Sequence, residues 1–229
     1  MIIKAAPSIW VRESEPNVSS TNITSSGSDY KFHTPEAPGS DSILTPHVVR
    51  LCGALGAKRV LDLGCGNGAM MAALAGAGFQ VSGCDPSESG LEFARRSLPD
   101  ANIKVMGVYD DPSELGEADF DVVVSAEVVE HLFSPRALPR FARQVLKPGG
   151  YLIVTTPYHG YLKNLMLALT NKWDKHHTVL WEGGHVKFWS KDTLSRMLTD
   201  EGFTVEEFVG AGRLRFLWMS MILVARKTG

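Results

Sequence analysis

Three ionisable side chains, Glu127, Glu130 and His131, fall within five positions of the stretch EVVEHL, directly after the apolar run FDVVVSA. Carboxylates beside an imidazole suit proton transfer or the coordination of a hard-to-borderline divalent ion. If the chain turns helical after that run, positions i, i+3 and i+4 share one face and the three side chains converge. Such a set would hold Mg2+, Mn2+ or Zn2+ with coordination positions left open, so that a substrate oxygen could be gripped and acidified. His185, in GGHVKFW just ahead of a late helix, supplies a fourth ligand. The same residues have a metal-free reading. A glutamate then braces a loop, His131 lines a pocket or acts as a base, and His185 caps the helix that begins near Ser190.

A second constellation lies upstream, in LDLGCGNGAM. Gly64, Gly66 and Gly68 allow a tight turn and a close approach of backbone to ligand, because no Cβ stands in the way. Glycine spacing alone is weak, and a dinucleotide site would place the third glycine one residue later. Asp62, two residues before the first glycine, and Asp85, in GCDPS, sharpen the reading. An acid at the end of the second strand is placed to accept hydrogen bonds from ribose hydroxyls. Asp62 is suited to an amino group or an ordered water beside a cationic ligand.

These residues need a scaffold, and the pattern predicts one. Apolar and β-branched runs at Arg59–Leu63, Gln80–Gly83, Ile103–Val108, Phe120–Ser125 and Tyr151–Thr155 alternate with helical periodicities such as Met70, Met71, Leu74 and Leu138, Phe141, Val145, Leu146. That rhythm implies right-handed crossovers and a parallel sheet covered on both faces. Strands near Thr204–Val209 and Met219–Ala225, after a helix at Lys191–Gly202, complete a Rossmann-like, doubly wound sheet of seven strands, mostly parallel with the last strand antiparallel. The division expected is an arm or lid over residues 1–46, rich in Ser, Thr, Asn, Gly and Pro, and a domain over residues 47–229. An insertion at about 158–190 breaks the rhythm.

Composition narrows the function. At 229 residues, with 44% hydrophobic, the chain builds one core and not two large domains. A formal charge of −2 argues against an extended nucleic-acid surface. No apolar run reaches the ~18 residues of a membrane span. Three cysteines at wide spacing suit neither a disulfide framework nor a zinc site, and a cytoplasmic location is expected.

In order along the chain, VLDLGCGNG, GCDPS, VYDDPSEL, FDVVVSAEVVEHL and LKPGGYLIVTTP resemble the class I S-adenosylmethionine-dependent methyltransferases, from Lys58 to the C-terminus. A nicotinamide dehydrogenase rivals only the glycine turn and has no need of LKPGG. The resemblance implies S-adenosylmethionine as cofactor, with contacts from Asp62, Gly64, Cys65, Gly66, Asp85, Pro86, Asp110, Ser125 and Glu127; Asp110 or Asp111 would lie near the adenine. EVVEH with a later H-x-x-F is similar to the ubiquinone-biosynthesis O-methyltransferases, and also to the small-RNA 3′-terminal 2′-O-methyltransferases. By either likeness the ligands of a divalent cation such as Mg2+ would be Glu127, Glu130, His131 and His185, with Glu130, His131 and His185 at the reaction centre. No second histidine stands beside His185, and Gly184 precedes it, which departs from the RNA branch. The expected activity is methyl transfer to a hydroxyl of a small, aromatic or quinol-like acceptor. The alternatives are RNA ribose 2′-O-methylation, metal-independent N- or C-methylation, and cofactor binding without transfer.

The insertion should decide the acceptor. Leu162, Leu165, Met166 and Leu169 form one apolar helical face, expected either to pack over the sheet edge or to act as a lid or a peripheral membrane surface. Tyr158, His159 and Tyr161 begin beside the reaction centre. His176 and His177 are adjacent, so they are expected at the surface. In the arm, Tyr30, Phe32 and His33 are the residues expected to dock, on the surface or over a ligand. Arg213 and Arg215 are candidate anion contacts.

Overall fold

A computed structural model describes residues 41–177 and 184–229, together with Phe32 and Gly39. Seven strands form one sheet: β1 (Arg59–Leu63), β2 (Gln80–Asp85), β3 (Asn102–Val105), β4 (Phe120–Ala126), β5 (Leu146–Pro157), β6 (Phe203–Ala211) and β7 (Ser220–Lys227), in the order β3-β2-β1-β4-β5-β7-β6. Every pairing from β3 to β5 is parallel, and β7 runs antiparallel to both of its neighbours. The order reverses between β1 and β4, so the crevice of this fold opens at their carboxyl ends. The glycine turn and the EVVEHL stretch both begin there.

Alternation along the strands explains why both faces are covered. Val60, Val122, Val124, Ile153, Ile222 and Val224 point to one side, beneath α1 (Asp41–Ala54) and α2 (Ala69–Gly76). Leu61, Leu63, Val123, Leu152, Val154 and Leu223 point to the other, beneath α4 (Ala137–Val145) and α7 (Lys191–Asp200). α3 (Glu88–Ser97) closes a smaller cluster of Leu91 and Ala94 on Cys65, Met71 and Ile103.

Two boundaries and one helix cap depart most from expectation. α1 begins at Asp41 rather than near Val48, because Leu44 continues the buried stripe of Val48, Leu51 and Cys52 through Pro46. β5 begins at Leu146: the KPGG segment bulges out of register between the pairs Phe120–Leu146 and Val122–Tyr151, so the strand resumes beyond it. α7 carries its own capping box, in which Ser190 Oγ accepts from the Thr193 amide and the Thr193 hydroxyl from the Ser190 amide. Ser190, and not His185, caps α7.

In the insertion, α5 (Tyr161–Leu169) does not lay its apolar stripe on the sheet. Leu162, Leu165, Met166 and Leu169 are exposed, and Lys163 is the residue it buries. α6 (Trp173–His177) follows, and its His177 is only 8% exposed, so the expectation of a surface pair is corrected. In so short a helix both imidazoles come within reach of His159, at ring-centroid distances of 5.9 Å for His176 and 5.5 Å for His177. The arm residues Tyr30 and His33 lie outside the described residues.

Candidate functional site

The glycine turn joins β1 to α2. Gly64 holds φ 88°, and a Cβ there would lie 2.4 Å from Val128 Cγ2. The turn after β4 is thus seated directly on the turn after β1. Gly66 holds φ 52°, with its α-carbon against the ring of Phe32: a Cβ would lie 2.6 Å from Phe32 Cζ. The Phe32 ring also covers Gly90, and its amide donates to Ser89 Oγ at 3.3 Å, so this arm residue rests on the cofactor turn.

Asp85, at the tip of β2, accepts from the Gly66 amide at 2.9 Å and from the Ser87 amide at 2.8 Å. Its carboxylate fixes the turn, and an acid at this strand end is of the type that accepts from ribose hydroxyls. Asp62 is 2% exposed beneath the same turn. Burial, and after it the charge of Asp62, pushes the Cys52 and Cys84 thiols up to about 12 and raises Cys65 as well, so the three cysteines pack rather than react. Cys65 packs under the turn, and Pro86 lies exposed beyond Asp85. Asp110 accepts from the Gly107 amide at 2.7 Å and Asp111 caps the short 3-10 helix Pro112–Leu115, both at the exposed rim where the adenine is expected. The Ser125 hydroxyl is fully buried and donates to the Leu63 carbonyl at 2.7 Å, a contact that ties β4 to β1.

The segment after Ala126 is a turn and not a helix, closed by the His131 amide on the Val128 carbonyl at 3.0 Å. Glu127 is therefore not on a helical face shared with Glu130 and His131. Glu127 takes φ 55°, uncommon for a side-chain-bearing residue, and faces back to β5: its amide donates to the Thr155 carbonyl, and the Thr155 hydroxyl donates to Glu127 Oε1 at 3.0 Å. Glu127 braces the turn.

Glu130, His131 and His185 do converge, each offering one ligand atom within 4.8 Å of the others. Backbone bonding brings His185 there from far along the chain. The Glu130 carbonyl accepts from both the Val186 and Lys187 amides, at 2.9 and 3.0 Å, and the Trp189 indole donates to the Val129 carbonyl at 3.3 Å. His185 Nε2 stands 4.0 Å from Glu130 Oε1, and its ring meets that of His131 edge-on at 4.9 Å. Glu130 is 1% exposed, and neither of its carboxyl oxygens makes a well-formed hydrogen bond among the described residues. Burial, reinforced by the charge of Glu127, raises its pKa well above the carboxylate range. Burial, then the neighbouring His131, lowers His185 to about 4, leaving it neutral at pH 7. A buried carboxyl held without a counter-charge beside a neutral imidazole is a costly arrangement that a cation would relieve. One carboxylate and two imidazoles form a set of three with coordination positions left open; Glu127 lies outside it.

Residues 42–207 match the methyltransferase domain family. The chain belongs to that family. It is 33% identical over 161 residues to the ubiquinone biosynthesis O-methyltransferase of Thiobacillus denitrificans, covering 68% of each chain. It is 30% identical over 168 residues to the one from Bradyrhizobium diazoefficiens, covering 71% of this chain and 64% of that protein. The chain thus spans about two thirds of the length of these relatives. Among solved structures, its fold matches the magnesium protoporphyrin IX methyltransferase of Synechocystis PCC 6803 with bound S-adenosylhomocysteine, with a TM-score of 0.59, 23% identity, and 81% of this chain and 82% of that one covered. The cofactor is S-adenosylmethionine, and the glycine turn with Asp85 is a cradle that fits it. The doubly wound sheet of seven strands with its last strand antiparallel and the methyltransferase assignment were both legible in the sequence, and the strand order was not. Lys163 and Thr155 were not: each stands in a run whose pattern gives it no chemical emphasis.

Proposed function

We propose that this methyltransferase alkylates a hydroxyl of a small aromatic or quinol-like acceptor, with His131 and Glu130 facing the acceptor oxygen. The observation that carries the reading is the turn Val128–His131 packed on Gly64, which puts a buried carboxyl and two imidazoles beside the cofactor turn. The names of the relatives agree with an oxygen acceptor, as does a net charge of −2, which gives no support to an RNA substrate.

The cofactor supplies an already activated methyl group. The acceptor oxygen attacks that carbon, the C–S bond breaks with its electron pair passing to sulfur, and the hydroxyl proton leaves the oxygen. The protein contributes alignment, exclusion of water and a destination for that proton. On this reading His131 takes it. Glu130, His131 and His185 would also hold a divalent ion, whose contribution when bound is to lower the hydroxyl pKa. Two imidazoles with one carboxylate favour Mn2+, Fe2+ or Zn2+ over Mg2+. Among the described residues no helix is long and apolar enough to cross a membrane, and the three buried, free cysteines fit a reducing cytoplasm.

The test is turnover of labelled S-adenosylmethionine on catechol- and quinol-type acceptors, with and without chelator. Transfer to oxygen that is lost in His131→Ala supports the reading. Transfer to nitrogen or carbon alone, or full activity in His131→Ala, would overturn it.

A further inference from the structure

Beyond the carboxyl end of β5, His159, His176 and His177 gather near Lys163, with Arg213 and Glu127 acting on the lysine electrostatically, in a group that the metal ligands do not use. Lys163 is 3% exposed, on the inner side of a helix whose apolar residues point outward. Its Nζ donates to the Met219 carbonyl at 3.3 Å, its one hydrogen bond among the described residues, so two of its three donors remain unspent. His159 and His177, each 8% exposed, stack at 5.5 Å with an interplanar angle of 20°, and His176 meets His177 edge-on at 5.0 Å. His177 Nε2 is buried with no hydrogen-bond partner among the described residues. Phe188 stands edge-on to His159 and His177 at 5.2 and 4.9 Å, walling one side. Arg213, exposed in the turn between β6 and β7, adds a further positive charge.

The electrostatics of the group run one way. Burial, then Arg213, depresses Lys163, with Glu127 alone opposing them; burial, then Lys163, then His177, depresses both His159 and His176. The charged forms of Lys163 and the three imidazoles are each disfavoured by their neighbours, and the one acid is already bonded to Thr155. With His159 and His176 neutral at pH 7, the buried charge of the group falls on Lys163, and a buried cation costs free energy unless an anion completes it. The same group adjoins the reaction centre, since the charges of His177 and Lys163 also act on His185.

We propose that Lys163 and His177, with His159, His176 and Arg213 around them, form an anion subsite of the acceptor pocket, which holds a carboxylate or phosphate carried by the acceptor molecule. It rests on the methyl-transfer reading and refines it. The hydroxyl to be methylated meets Glu130 and His131 while the anionic group of the same molecule is anchored on Lys163 Nζ. Neutral diols then lack one of the two anchors.

The subsite is tested by calorimetric titration of the full chain, loaded with S-adenosylhomocysteine, using benzoate, phenyl phosphate and benzyl alcohol as probes. Benzoate or phenyl phosphate should bind at least tenfold tighter than the alcohol, and less tightly as salt rises; whichever binds better names the anion. Lys163→Met should lose about tenfold or more of the anion affinity, since a hydrogen bond to a charged group contributes about 1.5–3 kcal/mol. Lys163→Arg should restore part of it, and His177→Phe should weaken it, with S-adenosylhomocysteine affinity unchanged in all three as the check on folding. Equal binding of anion and alcohol, or anion binding untouched in both Lys163→Met and His177→Phe, would overturn the proposal. Because binding is read without turnover, an inactive protein that binds the anion refutes the methyl-transfer reading alone, and an active one that ignores it refutes the subsite alone.

Discussion

Lys163→Met should make the ligand-free protein more stable, and the size of the gain follows from the site. Burial first, then the charge of Arg213, lowers the Lys163 ammonium from its ordinary value near 10.5 to about 8. A fall of that size corresponds to about 3 kcal/mol against the charged form. Methionine fills nearly the same volume and removes the charge, but it also loses the long 3.3 Å hydrogen bond to the Met219 carbonyl, worth about 1.5 kcal/mol, the low end for a charged donor. The net gain at pH 7 is about 1–2 kcal/mol, or about 2–8 °C in melting temperature for a chain of this size. The pH dependence carries the sign. With the folded pKa below the unfolded one, the native state binds fewer protons between pH 8 and 10.5, so wild-type stability rises with pH across that window. The penalty is fully present below pH 8 and is gone above 10.5. Melting followed by circular dichroism should show the widest gap between variant and wild type near pH 7, narrowing as pH climbs. A variant that melts below wild type at pH 7, or a gap that ignores pH, would refute the account of Lys163 as a buried, under-compensated cation.

Gly64→Ala combines a left-handed backbone, about 1–2 kcal/mol against a side chain, with a contact at 2.4 Å to Val128; melting temperature should fall, and S-adenosylmethionine affinity by calorimetry should drop tenfold or more, whereas near-wild-type values would show the two turns to be independent. A divalent ion at a hundred times its dissociation constant should stabilise the wild type by about 2.7 kcal/mol, a rise of about 5–10 °C, and Glu130→Gln should abolish that rise; an equal rise in the variant would place the ion elsewhere. Phe32→Ala removes an aromatic contact from Gly66 and Gly90, worth about 0.5–1.5 kcal/mol, so cofactor affinity should weaken about two- to tenfold; tighter binding would mean that the ring obstructs the cradle instead of covering it.

Much of this fold could be read from the chain because its signals are local. Runs such as Phe120–Ala126 fit a strand buried on both faces whatever surrounds them, and the acid at the end of the second strand follows from the topology. The insertion misled because periodicity reports which residues share a face and not what that face meets. Leu162, Leu165, Met166 and Leu169 do share one, yet it is exposed, and the lone Lys163 points inward. Glu127 was misassigned to a helical face for a related reason. Its spacing to Glu130 and His131 is helical, but φ 55° reverses the chain, and what holds that conformation is Thr155, 28 residues away on another strand. No pattern within EVVEHL records that partner. His185 fared better only because its residue type marked it; the amides of Val186 and Lys187 that hold it on the Glu130 carbonyl are invisible to side-chain reasoning.

Glu127 also explains how the two halves of the site stay in register. A residue outside the favoured backbone regions costs about 1–3 kcal/mol and persists only where its surroundings over-determine it. Here the Glu127 amide and carboxylate both engage Thr155, which fixes the point at which the chain leaves β4. The next residue, Val128, fills the space that Gly64 leaves by lacking a Cβ, and Glu130 and His131 follow within the same turn. On the proposed reading, a nucleoside on the glycine turn and an acceptor oxygen at Glu130 and His131 would be positioned by one shared contact, that of Val128 with Gly64. In-line transfer demands a near-attack distance of about 3–3.5 Å between the reacting atoms, and a strained residue pinned by β5 is a means of holding it. Under the proposed subsite, Lys163 and His177 would hold the acceptor's other end.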